Sequence, residues 1–219
     1  MTEFRPETSF VLSLSILFIL YSSGLFAQTS ETDGWKLAKD KQGIKVYTRC
    51  LEGSKLKELK VYTELNTSPE VLVQILMDVS HYNNWTENIK YSKLLKKISE
   101  EEIIIYSELK TLWPFDNRDA VDRARIQWSV NKDTVTFEIK SIRDYIPEKE
   151  GVVRMPLADG EWRIYRMSPD KVKVVYHFAV DPGGRIPSWL VNMFIVDGPI
   201  KTLNNLKSYL EMYPDNIQK

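Results

Sequence analysis

From residue 91 to residue 180 the chain alternates apolar and polar side chains, segment after segment, and then changes period and ends in one long helical stretch. KDTVTFEIKS (132–141) sets Val135, Phe137 and Ile139 on one side of a strand. KVKVVYHFAV (171–180) does the same with Val172, Val174, Tyr176, Phe178 and Val180. Period two is the mark of a sheet with one buried face. Strands are expected at 91–98, 102–109, 118–129, 134–141, 161–167 and 171–180, and so long a meander must have its apolar face covered. Residues 187–213 step by threes and fours through Leu190, Met193, Val196, Ile200, Leu203, Leu206, Leu210 and Tyr213, the stripe of a helix. Pro187 starts that helix well, whereas Gly198-Pro199 bends it, because proline cannot donate to the carbonyl of residue 195. The expected class is α+β, a curved antiparallel sheet wrapped around a long C-terminal helix.

Upstream, 56–65 reads as a strand with Leu59, Val61, Thr63 and Leu65 on one face, and 44–49 as another. Residues 34–41 (GWKLAKDK) read as a short helix. Ser68-Pro69-Glu70 is a helix start: a hydroxyl to cap, a proline where no donor is needed, and a carboxylate at the positive end of the dipole. That helix carries Val71, Leu72, Ile75, Leu76 and Val79 and is expected to end near His81. His177 falls on the strand face opposite Tyr176 and Phe178, a solvated or side-packed position. There is no repeat or composition break after Ser30, so one domain is expected over 34–213.

Composition removes several function classes. Lys+Arg and Asp+Glu both number 30, so no global field draws in nucleic acid. One cysteine, Cys50, excludes an internal disulfide, and two distant histidines match no zinc spacing. Neither metal nor cofactor is expected, and a nucleophile–histidine pair is disfavoured. FVLSLSILFILY (10–21) is too short to span a bilayer but suits the apolar region of a secretory signal, with a cut after Ala27. Residues 1–27 are therefore expected to be a signal peptide and the protein to be exported, periplasmic or secreted. An uncleaved N-terminal membrane anchor is the alternative.

Residues 112–128, LWPFDNRDAVDRARIQW, mix three carboxylates and three guanidiniums with apolar residues. Along the strand Arg118, Ala120, Asp122, Ala124, Ile126 and Trp128 share one face, and Asp119, Val121, Arg123, Arg125 and Gln127 the other. Two alanines facing a helix leave room for a cavity, or merely let the helix approach closely. The motifs around this strand carry a family likeness. Asp78-x-x-x-Tyr82-x-x-Trp85, Trp113-Pro114-Phe115-x-Asn117-Arg118-Asp119, Ile146-Pro147-x-x-x-Gly151-Val152-Val153-Arg154 and Gly184-x-Ile186-Pro187-x-Trp189-Leu190-x-Asn192 occur in this order. Together they resemble START domains, the lipid-transfer domains related to the steroidogenic acute regulatory protein.

That resemblance implies a helix-grip fold with an internal apolar tunnel under the C-terminal helix, holding one lipid or sterol-like molecule without catalysis. The tunnel wall would include Glu108, Ala120, Asp122, Ala124, Phe137, Tyr176, Phe178 and Met193. The mouth and lid would be Trp113, Pro114, Phe115, Trp189, Phe194, Gly198 and Pro199. Glu108 aligns with an acidic tunnel position of several START domains, but the expected basic partner is replaced by Ala124. Asp122 would point inward, near a wet mouth or paired with Arg118, two positions along the same face. Arg118 and Asp119 are expected to form a structural pair. The partners implied are a lipid or other hydrophobic small molecule and a transient membrane contact, with no nucleic acid and a monomeric chain. Two other functions fit the same fold. One is a cyclase- or aromatase-like enzyme using Glu108, Asp122 and Tyr176, and the other is a lipid-sensing domain.

Overall fold

The computed structural model of the protein describes residues 34–213. The segment expected to be a signal peptide lies outside the described residues. Ten strands form one sheet: β1 (Lys36–Lys41), β2 (Ile44–Cys50), β3 (Lys57–Leu65), β4 (Ile89–Lys97), β5 (Glu102–Leu109), β6 (Asn117–Trp128), β7 (Thr134–Ser141), β8 (Val152–Arg154), β9 (Leu157–Ser168) and β10 (Lys171–Asp181). Their order is β1-β2-β3-β10-β9-β7-β6-β5-β4, antiparallel throughout, while the short β8 pairs parallel to β6 off this path. Two helices complete the fold, α1 (Pro69–Met77) and α2 (Ser188–Met212), with a 3-10 turn at Val79–Asn84. The curved sheet against a C-terminal helix follows the residue pattern, and it is the helix-grip architecture that the resemblance to START domains implies.

One expectation fails at the start of the chain. Residues 34–41 contain strand β1, not a helix. Gln42 and Gly43 both have positive φ, 56° and 73°, and Lys41 pairs with Ile44. A two-residue turn of that handedness matches strand twist and folds β1 back on β2. Its lysines suit it to the edge of a sheet, where charge discourages further pairing. The other unforeseen strand, β8, is three residues long and too short to show a period.

Local signals account for α1. Ser68 Oγ accepts from the Val71 N–H at 3.3 Å, and Pro69 occupies the first turn. The helix stops at Met77, sooner than expected, and the chain continues as the 3-10 turn to Asn84. Helix α2 packs on β1, β2 and β3. Asn192 ties its first turns down, accepting from Lys57 N at 3.0 Å and donating to Lys55 O at 3.0 Å. Further along, Thr202 Oγ1 accepts from Glu87 N at 3.0 Å, which anchors the helix to the segment before β4. Pro199 sits in its interior, as expected.

Both faces of the sheet around β5 and β6 are covered. The main core joins the inner face to Leu72, Ile75 and Leu76 of α1 and to Ile195, Ile200, Leu203 and Leu206 of α2. A smaller cluster on the outer face joins Ile104, Tyr106 and Val121 to Leu95, Ile142 and Ile146. The segment between β7 and β8 provides that second cover.

Candidate ligand-binding cavity

Strand β6 sets the site because its two faces enter different environments. Ser107 pairs with Ala120, Ile105 with Asp122 and Ile103 with Ala124, all on the inner face. Glu108 pairs with Asp119 and Tyr106 with Val121 on the outer face. Across the sheet, Phe137 is opposite Trp162, and Trp162 opposite Tyr176. Rings follow one another along this floor: Tyr82 to Trp85 at 5.4 Å between centroids, Trp85 to Trp162 at 6.3 Å, Trp162 to Tyr176 at 4.5 Å, and Tyr176 to Phe178 at 5.9 Å. Gly160 lies opposite Phe178, and a Cβ there would come within 3.1 Å of that ring.

Between this floor and α2 lies a cavity of about 450 Å³, a size that suits a small-molecule site. Ala120, Asp122, Phe137, Tyr176 and Phe178 line it, as expected of the wall. Phe115, Phe194, Gly198 and Pro199 line it from the side of the mouth and lid, with Leu112, Leu190 and Val191 beside them. Trp113 is 92% exposed and Trp189 68%, so these two, with the exposed Pro114, sit outside the lining.

Four site expectations are corrected. Glu108 is fully buried but on the outer face, where it accepts from Lys90 Nζ at 2.7 Å, Lys149 Nζ at 2.8 Å and Asn117 Nδ2 at 3.1 Å. Burial alone would raise its carboxyl, but the two ammonium groups and the amide outweigh it and hold the pKa at about 2. Ala124 is packed into the core with Ile103 and Ile126 and does not line the cavity. Met193 is 51% exposed and does not line the cavity. Arg118 and Asp119 do not pair with each other, since adjacent strand residues point to opposite faces.

Asp119 is instead bound by Arg154 of β8, with Nε at 2.7 Å from Oδ1 and Nη2 at 3.2 Å from Oδ2. Arg154 also donates to the carbonyls of Arg143, Ile146 and Pro147, pinning the outer segment to the sheet. Arg118 lines the cavity and donates to three carbonyls, those of Asp116, Pro182 and Gly183. The turn that supplies two of them needs glycine. Gly183 has φ +62°, and a Cβ would lie 2.8 Å from Pro156 Cδ.

Asp122 has the least support of the buried charges. Its side chain receives one hydrogen bond among the described residues, from Ser141 Oγ at 3.4 Å to Oδ1. Burial pushes its pKa up to about 7, against the pull of Ser141. The tyrosine hydroxyls of Tyr82 and Tyr176 are pushed above their usual range, first by burial and then by the Asp122 charge. Residue reasoning missed several lining groups, among them Trp85, Ser107 and Trp162. Trp85 carried a signal as part of the Asp-Tyr-Trp motif, whereas Trp162 enters only through strand register.

A START-domain family model matches residues 26–214. The chain belongs to the START family. It is 30% identical over 183 residues to the phosphatidylcholine transfer protein of Mus musculus, covering 82% of this chain and 85% of that one. An uncharacterized protein of Pseudomonas aeruginosa is 35% identical over 179 residues, 82% of this chain and 88% of the relative. Among solved structures, a STAR-related lipid transfer protein fragment from Xanthomonas axonopodis matches with a TM-score of 0.76 and 37% identity. That match covers 82% of this chain and 99% of that one. This START domain is thus a member of a lipid-transfer family, with its cavity where β6, β9, β10 and α2 meet.

Proposed function

We propose that the protein holds one lipid in the cavity under α2 and carries it between membranes or partners without chemical change. The observation that carries this reading is the 450 Å³ apolar cavity whose mouth opens among exposed apolar side chains. Leu112 (56% exposed) and Phe194 (41%) line the cavity and also face solvent, flanked by Trp113, Trp189 and Met193. Tryptophans placed this way suit a membrane interface, so the mouth would meet the bilayer during exchange. Gly198-Pro199, which lines the cavity inside α2, lacks one backbone donor and is the proposed flexing point of the lid.

The histidines give little support to acid–base chemistry in the cavity. His81 is engaged by Asp78 at 2.7 Å and His177 by Glu58 at 2.5 Å, and neither lines it. A cyclase-like second reading rests on Asp122 alone, a carboxyl near neutrality beside two tyrosines. The proposal also places the mature protein outside the cytoplasm, on the strength of the 10–27 sequence pattern. Native mass spectrometry of gently purified protein tests the main reading, and vesicle-to-vesicle transfer of a labelled phospholipid tests the carrying role. One intact lipid per chain and catalytic-scale transfer are expected. Protein that emerges empty and moves no lipid would overturn the reading, and chemically altered lipid would favour the cyclase.

A further inference from the structure

Besides Trp85 Nε1 and Thr86 Oγ1, which line the cavity without a hydrogen-bond partner among the described residues, the β5–β6 wall holds two polar side chains that the fold leaves open. Asp122 is 6% exposed and faces the cavity between Ala120 and the packed Ala124. Oδ2 has no hydrogen-bond partner among the described residues, and Oδ1 has only the long contact from Ser141. Ser141 itself is fixed, because its Oγ accepts from Ala158 N at 2.8 Å and so keeps its proton for Asp122. Ser107, also 6% exposed and lining the cavity, sits opposite Ala120, one diagonal step from Asp122. Diagonal neighbours on one sheet face are about 7–8 Å apart, close enough for one small polar group to reach both. No hydrogen bond engages the Ser107 hydroxyl among the described residues. Buried polar groups are normally satisfied, so an open pair in an apolar wall marks where a ligand's polar atoms belong.

Charge narrows the chemistry. Neither Arg154 nor Arg118 is hydrogen-bonded to Asp122 among the described residues. Arg154 is bonded to Asp119 on the outer face, and Arg118 is four residues away along β6, about 13 Å at strand rise, with its donors on carbonyls. Asp159 of β9, whose charge also bears on Asp122, lies on the outer face and is bonded to Lys140 at 3.0 Å. Tyr82 and Tyr176 complete the surroundings, and their hydroxyls stay protonated. A phosphate brought to this wall would meet the Asp122 carboxyl, while the cavity-lining cations Arg118 and Lys110 belong to the end of the cavity where β5 connects to β6. A hydroxyl would donate to Asp122 Oδ2 and accept from Ser107.

We propose that Asp122 and Ser107 form the inner polar anchor of the cavity and select ligands whose buried end carries an uncharged hydroxyl, in preference to a phosphate. This rests on the lipid-binding reading above. The test uses four amphiphiles of one chain length: hexadecanol, its methyl ether, hexadecyl phosphate and hexadecyltrimethylammonium. Each competes against a pyrene-labelled alkane bound to the full chain. Hexadecanol should compete about tenfold better than the ether, the worth of one satisfied buried hydrogen bond. The phosphate should be the weakest competitor. Asp122→Leu should erase the alcohol preference, while Asp122→Asn, which keeps an acceptor of the same shape, should retain most of it. Ser107→Ala should reduce it a few-fold. Circular dichroism confirms that each variant is folded, and the wild-type ranking decides the matter if one is not. Equal competition by all four, or a preference for the phosphate or the ammonium, overturns the anchor and leaves lipid binding intact. If the tracer itself does not bind, both readings fall.

Discussion

Asp119 and Asp122 lie three residues apart on the same strand, both almost wholly buried, and their surroundings are opposite. Asp119 faces outward into a closed network. Arg154 grips it with two hydrogen bonds and at the same time holds the carbonyls of the covering segment. Asp122 faces inward to the cavity with one long hydrogen bond and, among the described residues, no ion pair. A buried charge that is paired and saturated maintains the fold, and removing its partner leaves an expensive orphan. A buried carboxyl left open instead takes up a proton and waits for a ligand. Burial alone therefore does not separate scaffold from site, but the state of the partner does.

The comparison is broken most forcefully at Arg154. Arg154→Met should lower unfolding stability by about 3–5 kcal/mol, since it strands Asp119. Urea denaturation at neutral pH measures this. A loss under about 1 kcal/mol would mean the pair is ornamental, given that exposed pairs contribute up to that amount.

Asp122 should respond with the opposite sign. Its folded pKa, about 7, lies above the unfolded carboxylate value. The folded state thus holds a proton that the unfolded chain releases, so its contribution is complete below about pH 4. It fades as pH rises towards 7 and is level beyond that. Asp122→Asn removes this titration. At pH 8 the ligand-free variant should be more stable than the parent by on the order of 3 kcal/mol, with the gap closing towards pH 4. Equal stability across that range would show that Asp122 is neither desolvated nor open.

Glu108 sharpens the contrast as a third buried carboxyl, on the same outer face as Asp119. Its folded pKa is about 2, below the unfolded value, so its stabilisation is present above about pH 4 and is lost as pH falls towards 2. Lys90 and Lys149 are about half exposed, which weakens the effect. Glu108→Gln should cost about 1–2 kcal/mol at pH 7 and leave ligand preference unchanged. A changed preference in a folded variant would restore Glu108 to the cavity. The smallest effect on stability belongs to the mouth. Trp189→Ser should change stability by no more than about 0.5 kcal/mol, as for other exposed sites, while slowing vesicle-to-vesicle transfer.

Much of this architecture was legible locally, for reasons that can be named. Ser68-Pro69 caps a helix through a bond to a backbone group three residues away. Alternation in β7 and β10 sorts Phe137, Tyr176 and Phe178 correctly, because one face of those strands is apolar and the other polar. The partition of β6 into an Asp122 face and an Asp119 face follows from parity alone. In β5 the same reasoning is silent. EIIIYSEL is apolar on both faces, since the segment after β7 buries the outer one as well. Family likeness then placed Glu108 inward, one residue out of phase. Residues 34–41 were misread for a related reason: the turn at Gln42-Gly43 outweighs a weak local helix pattern.

What the sequence determined by itself was everything that depends on neighbours along the chain: the period of each strand, the start of α1, the proline-broken helix and the ordered motifs of the START family. Only the tertiary structure decided which carboxyl is paired and which is open. Arg154 reaches Asp119 across 35 positions and Lys149 reaches Glu108 across 41. Trp162 joins the cavity floor through register with two other strands. Partners of that kind are set by where a distant segment comes to rest on the sheet. That is fixed by the packing of the whole fold, and no stretch of residues carries it alone.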